Sequence, residues 1–198
     1  MKALNDELVA LAKRTFEDPR AGVRALLRMG VPLPARTAGL LLVAVSSAVV
    51  FHLGFFFLPP GDDAVAGFMS QSPIRTAVVQ WVILAVTVLC IYQIGRAFGG
   101  TGSLTDALLV VVWLQVIMLG VQVVQLLASI LIPPLAGLVS LAGFIVFFWL
   151  LTSFIAELHG FASRWAVLAG VIGAGFALAL VLAVILTFIL GPEALQGA

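Results

Sequence analysis

Few side chains in this sequence could do chemistry, and they fall in two places. Gln115, Gln122 and Gln125 lie within one apolar stretch. At about 100° per residue on a helix, Gln115 and Gln122 share a face, and Gln125 stands about 60° away. Amides in hydrocarbon are costly unless hydrogen-bonded, so this face should point into a helix bundle. It could form a polar track for a lipid headgroup, a small solute or water. The same amides could instead bond between helices, worth about 0.6 kcal/mol each. Packing is the favoured reading, because no ionisable partner sits at the same depth.

The second group is Arg96, Asp106, Glu157, His159 and Arg164, all at the ends of apolar runs. They could meet as one polar cluster. Catalysis would need an activated nucleophile, a metal-ligand set or two suitably separated carboxylates. Glu157 and His159 project about 200° apart on a helix, and no His-Glu-x-x-His occurs. A charge network that holds loops together is therefore expected. An intramembrane enzyme, resting on Glu157 or His159, is the weakest reading. Cys90 is the only cysteine, so an internal disulfide is excluded and a zinc site disfavoured; a small buried hydrophobe is expected. His52 lies in an apolar run, where it could sense protons or, as expected, bond a neighbouring helix. No metal or cofactor is expected.

Arg96 and Asp106 belong to Gly95-Arg96-Ala97-Phe98-Gly99-Gly100-Thr101-Gly102-Ser103-Leu104-Thr105-Asp106, a polar, glycine-rich break. Ser103 and Asp106 have the spacing of a capping box, and Asp106 suits the positive end of a helix dipole. Glycine loops before helices can cradle phosphate. Here no Lys-Ser/Thr pair follows and no strand is expected before it, so a water-exposed hairpin loop between two membrane helices is the expectation.

The elements that must position these groups follow from composition. The chain is 63% hydrophobic and 10% charged, whereas a soluble domain carries about 25% charged residues. Such a chain cannot cover itself with a wetted surface. The expected fold is all-α: a polytopic integral membrane protein with five transmembrane helices, at about 37–58, 74–94, 106–132, 135–156 and 165–190. These lengths suit a hydrocarbon core of about 30 Å, where unpaired backbone is not tolerated. Pro133-Pro134 splits a run too long for one crossing. A net charge of +1 gives no pull toward nucleic acid. The charged segment ahead of the first apolar run is too long for the start of a secretory signal.

In the last span, Ala166, Gly170 and Ala174 form one small-residue row, and Ala169, Gly173 and Ala177 a second. Such rows let helices approach closely, so this seam should pack on the same bundle, on another membrane protein or on a second copy. Trp81, Trp113, Trp149 and Trp165 are candidate interfacial anchors.

Residues 1–36 read as an amphipathic cytoplasmic arm. Asp18-Pro19 starts a short helix whose Arg20, Arg24 and Arg28 form a basic ridge beside Val23, Leu26 and Leu27. A helix of this kind can lie on an anionic membrane surface. With five spans, the basic residues of the arm share a side with Arg96 and Arg164. Only Arg75 falls opposite, beside Asp62 and Asp63. The cationic side should be cytoplasmic, which places the N-terminus inside an inner membrane and the C-terminus outside.

Two stretches carry a family resemblance. The Gly95–Ser103 loop and Glu157-Leu158-His159-Gly160-Phe161-Ala162-Ser163-Arg164-Trp165-Ala166 resemble the inner loops of bacterial members of the Yip (Ypt-interacting protein) family. The Asp18-Pro19-Arg20 arm is similar to their pre-span segment. The resemblance implies a five-span membrane fold. Eukaryotic members are implied to act in vesicle traffic and to contact small membrane GTPases. This chain has no long arm of that kind, so that partner does not carry over; for bacterial members no agreed chemistry is implied. The expected role is non-enzymatic: an organiser of the membrane, or an accessory subunit binding other membrane proteins. The alternative is a transporter or redistributor of a lipid or small solute along the glutamine face.

Overall fold

The computed structural model describes residues 2–58 and 64–190. It holds eight helices among them: α1 (Lys2–Glu17), α2 (Pro19–Arg28), α3 (Leu33–Phe57), α4 (Ala64–Ser70), α5 (Pro73–Ala97), α6 (Leu104–Leu131), α7 (Pro133–His159) and α8 (Arg164–Leu190). No strand occurs among the described residues. Asp62, Asp63 and the tail after Leu190, which entered the orientation argument, lie outside the described residues.

Local chemistry sets the boundaries. The Asp18 carboxylate accepts from the Ala21 N–H at 3.0 Å, and Pro19 occupies the first turn, where its missing N–H costs nothing. Ser72 caps α5 by accepting from Arg75 N–H, and Ser103 caps α6 by accepting from Asp106 N–H. The Asp106 carboxylate turns back to accept the Ser103 hydroxyl proton at 2.7 Å. Only Ile132 separates α6 from α7, because Pro133 cannot donate to the preceding turn. Both α5 and α7 end in a glycine of positive φ. Gly99 has φ +83° and Gly160 φ +74°. In each, the following amide reaches back across the last turn, Gly100 N to Gly95 O and Phe161 N to Ala156 O, both at 2.8 Å. That is the Schellman arrangement, which favours glycine because other side chains strain there.

The helices α3, α5, α6 and α7 are each long and apolar enough to cross a membrane. In α8 the described apolar stretch is Arg164–Ala177. The apolar runs start earlier than the sequence suggests at α3, since Pro34 is accepted in a first turn. The short α4, seven residues, is apolar but far too short for a span, and was not expected.

The core gathers where α6 and α7 pack together. Val110, Val111 and Leu114 of α6 meet Leu150, Phe154 and Ala156 of α7, and Ala44 of α3 joins them. At one end of this core the arm folds back onto the bundle. Val23 and Leu26 of α2 are buried there, in contact with α6 and α7. The apolar stripe of α2, expected to face lipid, is thus covered by protein, which corrects the surface-lying reading of this helix.

Candidate functional site

His159 organises the arm end of the bundle. It is the last residue of α7 and only 2% exposed. Its Nδ1 accepts from the Gly102 N–H at 3.3 Å, and its Nε2–H, protonated in that tautomer, donates to the Ile91 carbonyl of α5 at 3.1 Å. Its backbone carbonyl accepts from Thr101 N–H at 3.2 Å. Phe161 stacks on the ring, with centroids 5.6 Å apart. A Cβ placed on Gly95 or Gly100 would fall within the imidazole, and one on Gly102 would meet Leu158 at 2.8 Å. The glycine-rich loop is therefore wrapped around a histidine, and its missing side chains are the space the ring fills. Both ring nitrogens are engaged by backbone groups, so neither is free to move a substrate proton.

The other charged candidates share this end but do not pair with one another. Glu157 is bonded by Arg24 of α2 at 3.0 Å. Asp106 is bonded by Arg36 of α3 at 2.9 Å, and the same guanidinium donates to the Val31 carbonyl at 2.8 Å. Arg96 donates to the Gly100 carbonyl at 3.5 Å. Arg164 lies 5.6 Å from the Trp165 ring. Arg20 donates to the Phe161 and Ala162 carbonyls, both at 3.2 Å. The arm thus supplies the partners, and two members of the expected basic ridge are turned onto protein, Arg20 onto the α7–α8 link and Arg24 onto the last turns of α7. Deeper in the arm, the Trp113 indole N–H donates to the buried Thr15 hydroxyl at 3.1 Å, which in turn donates to the Leu11 carbonyl at 2.8 Å. Trp113 is therefore an internal pin and not a lipid anchor.

The glutamines divide. Gln125 donates to the Ser140 hydroxyl of α7 at 2.8 Å, a bond between helices. Gln122 donates to the Ser47 carbonyl of α3 at 3.2 Å. Gln115 and Gln122 both border a cavity of about 360 Å³ between α3, α5 and α6, in the half of the bundle nearer α4. Ser47, Thr76 and Gln80 complete its polar lining. The sequence reading missed Gln80, although an amide inside the apolar α5 carries the same signal as the three in α6. His52 donates from Nδ1 to the Ala48 carbonyl at 2.9 Å, and its Nε2 is buried without a partner among the described residues.

The small-residue rows of α8 are open. Ala166, Ala169, Gly173 and Ala177 are exposed, while Gly170 and Ala174 are half-buried. A Cβ on Gly170 or Gly173 would meet no atom within 4 Å. Val167 is buried on the side of α8 that meets α7. Among the described residues no group of three or more His, Cys, Asp or Glu could hold a metal ion.

No curated protein and no solved structure matches the chain. The family model of the Yip1 domain matches residues 13–186, a stretch that takes in the α2 arm, the glycine loop around His159 and most of α8. The chain is a member of the Yip1 domain family.

Proposed function

We propose that this protein is a non-enzymatic organiser or accessory subunit of the inner membrane, binding another membrane protein or a second copy of itself through α8. One observation carries the reading. The rows Ala166, Gly170, Ala174 and Ala169, Gly173, Ala177 form a close-packing surface that the bundle leaves uncovered at Gly170 and Gly173. In lipid there is little hydrophobic gain in covering such a face, so backbone proximity and dispersion supply the attraction.

In this proposal α8 is a fifth crossing, with the N-terminus cytoplasmic and the C-terminus outside. The arm end of the bundle supports that orientation. It collects Arg20, Arg24, Arg36, Arg96 and Arg164, while Arg75 sits beside α4 at the opposite end. The docked arm then serves as a rigid cytoplasmic cap.

The test is crosslinking in native membranes. With Cys90 replaced and a single cysteine at Gly173, oxidation or a short bifunctional reagent should trap an adduct that a cysteine at Gly67 does not give. Recovery of uncrosslinked monomer alone would count against the proposal. Single-cysteine labelling should modify position 62 and the C-terminal tail from outside, and position 99 only from inside.

A further inference from the structure

We infer that the cavity between α3, α5 and α6 is a binding site for an uncharged hydrogen-bonding group of the glycerol-ester type, carried by a bilayer lipid or presented by a free polyol. The inference does not depend on what α8 touches.

Its size comes first. A volume of about 360 Å³ is room for a small organic group, or for on the order of ten waters at about 30 Å³ each. Its chemistry comes next. Gln80 and Gln115 both line the cavity, and neither side-chain amide makes a protein hydrogen bond among the described residues. Gln122 spends one N–H on the Ser47 carbonyl and keeps its other N–H and its oxygen. Amides offer donors and acceptors together, so the matching ligand needs both. Hydroxyls and ester carbonyls supply them.

Charge is excluded by what surrounds the site. Among the described residues, the cavity lining contains no Asp, Glu, Lys or Arg. The nearest cation in sequence, Arg75, is committed elsewhere: it donates to the Phe68 carbonyl at 3.2 Å and to Gln71 at 3.0 Å, and lies over the Phe68 ring at 4.4 Å. A phosphate or ammonium would be dehydrated here with no counter-charge.

The setting favours a group that has an apolar tail. Phe51, Ile83 and Met118 line the same cavity. An apolar groove of about 320 Å³, formed by α3 and α5 with Val45, Ile74 and Trp81, borders the cavity at Ala48. A glycerol ester among the amides would have its acyl chain one small residue from that groove.

The experiment uses the full chain in mild detergent, with dioleoylglycerol and glycerol as separate probes. Dioleoylglycerol binding is read by thermal melting and native mass spectrometry. Glycerol is read by ligand-observed NMR, because polyols raise melting temperatures unspecifically. We expect a saturable response to at least one probe. The double variant Gln80→Leu, Gln115→Leu should weaken it tenfold or more through two lost hydrogen bonds. Gln125→Leu, whose amide is bonded to Ser140, should lower the melting temperature and leave probe affinity unchanged. A response to dioleoylglycerol alone identifies a lipid, and one to glycerol alone a free polyol. No saturable response of the wild type to either probe overturns the inference whether or not the variants fold. So does a response that the double variant Gln80→Leu, Gln115→Leu leaves intact.

Discussion

His159 occupies the volume that a side chain on Gly95 would need, so a residue of α7 is seated against the bare backbone of α5. The contact explains why the loop after α5 is glycine-rich. Gly95 and Gly100 admit the ring, and Gly99 allows the left-handed turn that aims the Gly102 N–H at Nδ1. The two stretches that carry the family resemblance are thereby one structure, a histidine and its socket.

Filling that socket should be costly. Gly95→Ala forces the imidazole aside in a packed site, and overpacking of this kind costs about 1–3 kcal/mol. The ring would also lose its bond to Ile91 O, which adds about 1 kcal/mol. Melting in detergent should show the loss. In the double variant with His159→Ala, the penalty for Gly95→Ala should shrink by at least half, since the clash has gone. Equal penalties in the two backgrounds would rule out the contact.

The pin between arm and bundle gives a second prediction. Thr15→Val keeps the shape of the side chain but leaves the buried Trp113 N–H without an acceptor, a cost of about 1–3 kcal/mol. Thr15 is fully buried and Trp113 nearly so, which keeps water from replacing the bond. Loosening should appear first at the arm. Limited proteolysis within residues 13–28 should quicken at temperatures where the rest of the bundle still resists.

A third prediction concerns the Arg24–Glu157 pair. The two side chains are 46% and 17% exposed, so the interaction is partly screened and should be worth about 0.5–1 kcal/mol. Reversing one charge, Arg24→Glu, places like charges together and should cost more than Arg24→Ala. The exchange Arg24→Glu with Glu157→Arg should recover most of the loss at low salt, and the recovery should fade at high salt. Arm release measured by the same proteolysis would report it.

The sequence made the membrane helices legible because hydropathy and proline breaks act locally. It also placed Arg96, Asp106, Glu157, His159 and Arg164 at helix ends, where the structure has them. What it could not reveal was pairing. Asp106 meets Arg36 and Glu157 meets Arg24 across long chain separations, and spacing along one helix is silent about such partners. The expectation that the apolar stripe of α2 faces lipid failed for the same reason. An amphipathic helix has a face to bury, and the pattern does not say whether lipid or protein covers it. Gln80 was legible and overlooked: its only amide companion in α5, Gln93, lies near the other end of the helix, whereas Gln115, Gln122 and Gln125 drew attention as a set.

That set makes the last prediction, because the structure gives its members different work. Gln125 donates to Ser140 across α6 and α7, so Gln125→Leu removes one interhelical hydrogen bond and should cost about 0.6 kcal/mol. Gln115 makes no protein hydrogen bond among the described residues and opens onto the cavity. Gln115→Leu should therefore be neutral or slightly stabilising in detergent, since it replaces a poorly paired amide with an apolar group of similar size. Gln122 should fall between them, because it loses the bond to the Ser47 carbonyl and relieves its remaining polar groups. Melting temperatures of the single variants should rank Gln115→Leu above Gln122→Leu above Gln125→Leu. If Gln115→Leu is instead the most damaging, its amide is holding helices together, and the division of the α6 glutamines into packing and cavity groups is wrong.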